Sequence, residues 1–175
     1  GILAADQGAS FIGGWLEGLG QPTSDKTLVQ YREMLFGTPQ LSDHISGIIL
    51  LGDVPEQQAD DGTPLLELIS RQGIMPGLSP STGLQAIAGT PGEMIPMGLE
   101  GLRERLAKFR DYGLRFTKWR APLKIGAGLP TKYAAEANAY TLGQFAALSQ
   151  EAGLVPIVEP EVEMLGDHDL SLIHI

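Results

Sequence analysis

The apolar positions of this chain fall into short runs and helical stripes that alternate along its length. Residues 1–6 have the content of a buried strand that delivers Asp6 at its C-terminal end. Residues 10–18 predict a short helix broken up by Gly13 and Gly14. Ser24 suits the N-cap of a second helix, in which Leu28, Tyr31 and Leu35 recur at helical spacing and which Gly37 stops. Ile45 to Leu51 predicts a second buried strand, Asp60-Asp61-Gly62 a turn, residues 64–72 a short helix, and Gly73 to Ser79 a third strand. Ala88 to Glu93 reads as a loop, continued by Met94 and Met97 as packing residues ahead of a helix. Leu99, Leu102, Leu106 and Phe109 mark one face of that helix, with Arg103, Glu104 and Lys108 away from it. Gly113 closes it, Leu114 to Arg120 predicts a fourth strand, and residues 131–151 an alanine-rich helix ending at Gly153. The fifth strand opens as Leu154-Val155-Pro156-Ile157-Val158, an apolar run of the kind buried on both faces.

Strands alternating with helices predict an α/β fold with parallel strands and right-handed crossovers. The chain has 175 residues, fewer than the ~250 of a full eight-unit α/β barrel. A hydrophobic content of 43% is enough for a core, and neither an internal repeat nor a low-complexity segment interrupts it. Twelve basic against twenty-one acidic residues give a net charge of −9, which argues against nucleic acid as a partner. A few local cations could still hold an anionic substrate. The absence of cysteine removes thiol nucleophiles, disulfides and thiolate metal sites, and fits a cytoplasmic location. No apolar run approaches the ~20 residues of a membrane span, so no membrane partner is expected. A first residue that is not methionine, inside strand-like sequence, suggests a fragment.

The chemistry gathers at strand ends. In Phe116-Thr117-Lys118-Trp119-Arg120, side-chain alternation puts Lys118 and Arg120 on one face and Thr117 and Trp119 on the other. Two adjacent cations in a core are strongly disfavoured unless anions meet them. Glu159 and Glu161, separated by one residue at the end of the fifth strand, emerge on one face and can supply those anions, as can Asp6. This set reads either as strand-end salt bridges or as an electropositive site facing carboxylates. Such a site could hold a phosphate or stabilise an oxyanion. Parallel strands bring their C-terminal ends to one side, so Asp6, Lys118, Arg120, Glu159 and Glu161 could line one cavity where acid–base chemistry is possible. Gly166-Asp167-His168-Asp169 is a weak metal-site signal that is more simply a turn, and Gly126-Ala127-Gly128 lacks the rest of a dinucleotide fingerprint. His44 and His174 have no partner near in sequence.

Read in order, several of these pieces resemble class I fructose-bisphosphate aldolases. They are Gly1-Ile-Leu-Ala-Ala-Asp6, Ala59-Asp-Asp-Gly62, Ala88-Gly-Thr90, Gly98-Leu-Glu-Gly-Leu102, Lys118-Trp-Arg120, Leu123-Lys-Ile-Gly126, Glu136-Ala-Asn-Ala139, Val155-Pro-Ile-Val-Glu-Pro-Glu161 and Gly166-Asp-His-Asp-Leu170. The resemblance runs in register from residue 1 to about 170. It implies a partial (β/α)8 TIM barrel with about five of eight βα units present, and an incomplete barrel domain over residues 1–170. Residues 171–175 stand as an unrelated tail.

The resemblance further implies a Schiff-base lyase of glycolysis and gluconeogenesis, without metal or other cofactor. It would cleave fructose 1,6-bisphosphate reversibly to dihydroxyacetone phosphate and glyceraldehyde 3-phosphate, and the full-length parent would be a homo-oligomer. Asp6 matches the acid near the hydroxyl that loses its proton, Lys118 a lysine that aids carbinolamine chemistry, and Arg120 a substrate-positioning cation. Glu159 matches the acid–base residue of Schiff-base formation and Glu161 its neighbour in the charge network. The family's Schiff-base lysine lies on the next strand, which no residue of this chain matches, so the fragment itself is expected to be inactive. Departures from the family pattern are Gln7-Gly8 for Glu-Ser, Gly14-Trp15 for Lys-Arg, and Ser79-Pro80-Ser81-Thr82-Gly83 for Lys-Val-Asp-Lys-Gly. They leave open a non-catalytic aldolase-like barrel, or a Schiff-base aldolase for another phosphorylated ketose.

Overall fold

The computed structural model describes residues 1–164, 166, 168 and 169. In chain order the elements are β1 (Ile2–Ala5), α1 (Ala9–Gly18), α2 (Asp25–Phe36), β2 (Gly47–Leu51), α3 (Leu65–Ser70) and β3 (Met75–Ser79). Then follow β4 (Gly83–Ala86), β5 (Met94–Met97), α4 (Leu102–Asp111), β6 (Phe116–Leu123), α5 (Lys132–Glu151) and β7 (Val155–Val162). The chain divides into two compact units: Gly1–Ser79 with Lys108–Thr117, and Pro80–Ala107 with the chain from Lys118 onward. The tail expected at 171–175 lies outside the described residues.

In the first unit β1, β2 and β3 run parallel, with Ala5 opposite Leu50 and Leu50 opposite Leu78. The first two residues of β6 continue this ladder, Phe116 opposite Gly77 and Thr117 opposite Leu78. Ile48, Leu50 and Leu78 are wholly buried and Ile49 nearly so, because helices need apolar surface on both faces of a parallel sheet. The core joins Ala5, Phe36, Ile48, Leu50, Leu65 and Ile69. Gly47 and Gly77 are small because the Phe116 ring lies against both positions, and a Cβ on Gly77 would overlap it.

Two sequence expectations change in this unit. Helix α1 runs unbroken through Gly13 and Gly14. Burial of Ile12 and Leu16 against Leu28 outweighs a glycine propensity cost of about 1 kcal/mol each. Gly13 also admits Thr23, whose Cγ2 lies 2.8 Å from where a Cβ would stand. In α2, Ser24 caps as expected by accepting from Thr27 N at 3.2 Å. The buried stripe, however, is Leu28, Arg32 and Phe36, with Tyr31 and Leu35 at its margin. Arg32 can be buried because Gln57 Oε1 at 2.7 Å and Asp53 Oδ2 at 3.5 Å meet its guanidinium.

In the second unit the loop expected at 88–93 stands, but it joins an unexpected hairpin, the apolar stretch Met94–Met97 being a strand: β4 and β5 pair antiparallel, Gly83 opposite Met97 and Ala86 opposite Met94. All of β4 is exposed, so the apolar alternation that would betray a strand is missing. Helix α5 starts at its cap Thr131, whose hydroxyl accepts from Ala134 N at 3.2 Å. It buries Ala134, Asn138, Leu142 and Phe145, and Phe145 packs on Trp119 of β6 with ring centroids 5.2 Å apart. Strand β6 neighbours β7. The expectation that β7 is buried on both faces is corrected: Val155 is 65% exposed and Val158 45%. Burial of a sheet strand needs a neighbour on both edges, and β7 pairs on one edge only among the described residues.

Candidate active site

Alternation along β6 turns Lys118 and Arg120 to one face and the fully buried Thr117, Trp119 and Ala121 to the other, where Trp119 meets Phe145 of α5. Lys118 is only 8% exposed, an expensive position for an ammonium group. On β7, Glu159 and Glu161 share a face and are each half-buried, while Val158, Pro160 and Val162 turn to solvent.

The two strands meet as a ladder of opposite charges. Glu159 Oε2 lies 2.8 Å from Lys118 Nζ. That contact is off the line of a directed hydrogen bond, so charge attraction rather than alignment holds it. One rung further on, the Arg120 guanidinium grips Glu161 in a bidentate pair, Nε to one carboxylate oxygen and Nη2 to the other at 3.1 Å. Hydrogen bonding from Arg120 holds the Glu161 carboxyl below its ordinary range against an opposing desolvation effect. Reciprocally, the bond to Glu161 raises the Arg120 guanidinium.

The two rungs differ in how they are held. The Arg120–Glu161 pair is doubly hydrogen-bonded, which favours the ionised carboxyl. The Lys118–Glu159 pair is held by charge attraction at 2.8 Å. The four residues read from sequence as a strand-end cluster are therefore brought together, and each cation does meet a carboxylate. Asp6 follows β1, half-buried, in the first unit.

At the positions that depart from the aldolase pattern, the Gln7 amide folds back to donate to Ala4 O at 3.0 Å. Trp15 stands 51% exposed on α1. Ser79 ends β3. The weak metal-site signal at 166–169 includes Asp167, and the histidine His174 likewise lies outside the described residues. No cluster of three potential metal ligands occurs among the described residues. One buried carboxylate escaped the sequence reading. Glu93, 4% exposed, falls at the end of the loop expected at 88–93, where nothing in its neighbours marks it as buried.

Comparison with known proteins places this geometry. A family model described as fructose-bisphosphate aldolase class-I matches residues 1–174. A protein of Xanthomonas campestris pv. campestris named probable fructose-bisphosphate aldolase class 1 is 46% identical over 171 residues, 98% of this chain and 51% of that protein. Fructose-bisphosphate aldolase 6, cytosolic, of Arabidopsis thaliana is 42% identical over 171 residues, 98% of this chain and 48% of its own length. Among solved structures, a ternary co-crystal structure of fructose-bisphosphate aldolase from Plasmodium falciparum, in complex with TRAP and a small molecule inhibitor, superposes with a TM-score of 0.94. It is 36% identical, and the match covers 98% of this chain and 50% of that one. This chain thus spans about half the length of the curated relatives it matches. Its mixed α/β fold is that of the corresponding part of an aldolase (β/α)8 barrel, as the ordered motifs implied. With the family model spanning nearly every residue, the chain belongs to the class I fructose-bisphosphate aldolase family.

Proposed function

We propose that the whole protein is a Schiff-base aldolase that reversibly cleaves fructose 1,6-bisphosphate to dihydroxyacetone phosphate and glyceraldehyde 3-phosphate, in glycolysis or gluconeogenesis. The observation that carries this reading is the Lys118–Glu159 contact at 2.8 Å beside the locked Arg120–Glu161 pair, in a chain of this family. A lysine amine on the strand after β7, as in the family, attacks the substrate ketone to give a carbinolamine. Loss of water then leaves an iminium that accepts the electron pair of the breaking carbon–carbon bond. Glu159 supplies the proton that departs with the water and takes it back on hydrolysis. Lys118, with its positive charge held close by, stabilises the carbinolamine oxygen. Arg120 positions substrate, Glu161 orients Arg120, and Asp6 serves the hydroxyl that loses its proton on cleavage.

In this reading no position of the 175-residue chain supplies the nucleophile, and the chain alone is inactive. The substrate is a sugar phosphate, no cofactor is needed, and the whole protein is a homo-oligomer. A cytoplasmic location is supported by the relative named cytosolic, and no helix among the described residues is long and apolar enough to cross a membrane. Borohydride reduction of the whole protein with dihydroxyacetone phosphate is expected to leave a covalent adduct, and the 175-residue chain none. Absence of adduct on the whole protein would remove the proposal.

The exposed Trp15 on α1 and the Ser79-Pro80 pair at the end of β3, both departures from the family's cationic residues, favour a second reading in which another phosphorylated ketose is preferred. Comparing kcat/KM for fructose 1,6-bisphosphate and fructose 1-phosphate separates the two, a preference for the monophosphate supporting the second.

A further inference from the structure

The ladder on β6 and β7 makes no use of Glu93, yet burying a carboxylate to 4% exposure is costly unless donors surround it. Among the described residues Glu93 has two donors, both from one residue. Thr131 N donates to Oε1 at 2.8 Å and the Thr131 hydroxyl to Oε2 at 2.6 Å. Thr131 is the N-cap of α5, and its hydroxyl also accepts from Ala134 N. In a capping box the N-cap hydroxyl takes the amide of the third helical residue, and a Glu or Gln side chain at that third position returns to the N-cap amide. The third residue of α5 is Ala134, 1% exposed, which has no acceptor to return and no room for one. Glu93 stands in for it, reaching in from the β4–β5 connection 38 residues earlier.

Glu93 is also the closing residue of that connection. Its amide donates to Thr90 O at 3.2 Å and its carbonyl accepts from Ile87 N at 3.0 Å. Two further contacts run the same way: Asn138 of α5 donates to Met94 O at 3.0 Å, and Lys124, just past β6, lies against Gly92. Behind β6, Phe145 of α5 packs on Trp119, the residue between Lys118 and Arg120.

We propose that Glu93 is a positioning residue that completes the α5 capping box from outside the helix. It fixes the β4–β5 hairpin to α5 and, through α5, the strand that carries Lys118. The role in catalysis rests on the aldolase reading; the latch itself does not.

Amide hydrogen exchange on the 175-residue chain tests the latch without substrate. Glu93→Gln keeps one acceptor but sets an amide N–H against a Thr131 donor, so exchange over 87–97 and the first turn of α5 should accelerate by about tenfold or more. Thr131→Val should do the same, and Thr131→Ser, which keeps the hydroxyl, should match wild type. The β1–β3 ladder in the first unit should be unchanged in all three. Uniform acceleration, no acceleration in Glu93→Gln, or failure of Thr131→Ser to match wild type while Thr131→Val behaves the same would each overturn the latch. In the whole protein, Glu93→Gln and Thr131→Val should each lower kcat several-fold with KM little changed, while Thr131→Ser should keep the wild-type kcat. Local acceleration with wild-type kcat would overturn the positioning role. A wild-type protein that forms no borohydride adduct would sink the aldolase reading instead, while the exchange result still decides the latch.

Discussion

Removing one partner of the Lys118–Glu159 contact should cost stability very unequally, depending on which partner goes. The Lys118 side chain is 10% exposed and that of Glu159 35%. Glu159→Gln keeps the shape but removes the negative charge 2.8 Å from a buried ammonium. Breaking a fully buried pair costs about 3–5 kcal/mol. With one partner a third exposed, water relieves part of that, and about 1–3 kcal/mol is expected. Lys118→Met is the gentler change, because the remaining carboxylate can hydrate and methionine fills the stem volume. It should cost about 1 kcal/mol or less. The double variant should recover most of the loss from Glu159→Gln, giving a coupling of opposite sign to the single effect. Urea unfolding followed by tryptophan fluorescence reads the relevant unit, since Trp119 is fully buried there while Trp15 in the first unit is half-exposed. Midpoints should shift at constant m-value. A Lys118→Met variant less stable than Glu159→Gln would refute the reasoning, because it would mean that the ammonium is not the costlier group to leave behind.

Acid should weaken the second unit through Glu161. Its folded pKa is depressed below the ordinary glutamate value by the hydrogen bonds from Arg120, so the contribution is fully present above that ordinary value and is lost as pH falls through the lower, folded one. Arg120→Gln should flatten this part of the acid-stability slope below about pH 4.5, and an unchanged slope would show that Arg120 is not its source. In the first unit, Gly77→Ala puts a Cβ into the Phe116 ring and should cost about 1–3 kcal/mol, with Phe116→Leu partly relieving it in thermal unfolding. In the whole protein, Lys118→Met should lower kcat about 100-fold or more while circular dichroism stays at wild type. Retained turnover would take Lys118 out of the chemistry.

Much of the site was legible in the sequence. Alternation alone placed Lys118 and Arg120 on one face of β6 and Trp119 on the other, because period-two geometry is local to a strand. The helical stripe of Leu102, Leu106 and Phe109 and the cap at Ser24 are likewise local, and all stand in the fold. Pairing is another matter. That Lys118 meets Glu159 and Arg120 meets Glu161, and not the reverse, depends on the stagger of two strands separated by a 20-residue helix. No sequence period encodes that stagger.

The tertiary structure also overruled local signals in both directions. Glycines at 13 and 14 argue against a helix, yet packing of Ile12 and Leu16 on Leu28 sustains one. The apolar run of β7 argues for burial on both faces, yet Val155 and Val158 lie exposed, since a strand is covered only where a neighbour exists. The β4–β5 hairpin, Arg32 in its polar pocket and Glu93 at the head of α5 gave no signal at all. Each is stabilised by partners 8 to 38 residues away. The sequence by itself determined most of the strands and helices and which face of β6 carries the cations, because those follow from neighbours within one or two turns. Only the tertiary structure decided which charge faces which, and which carboxylate caps which helix, because those depend on contacts that the chain makes once it has closed on itself.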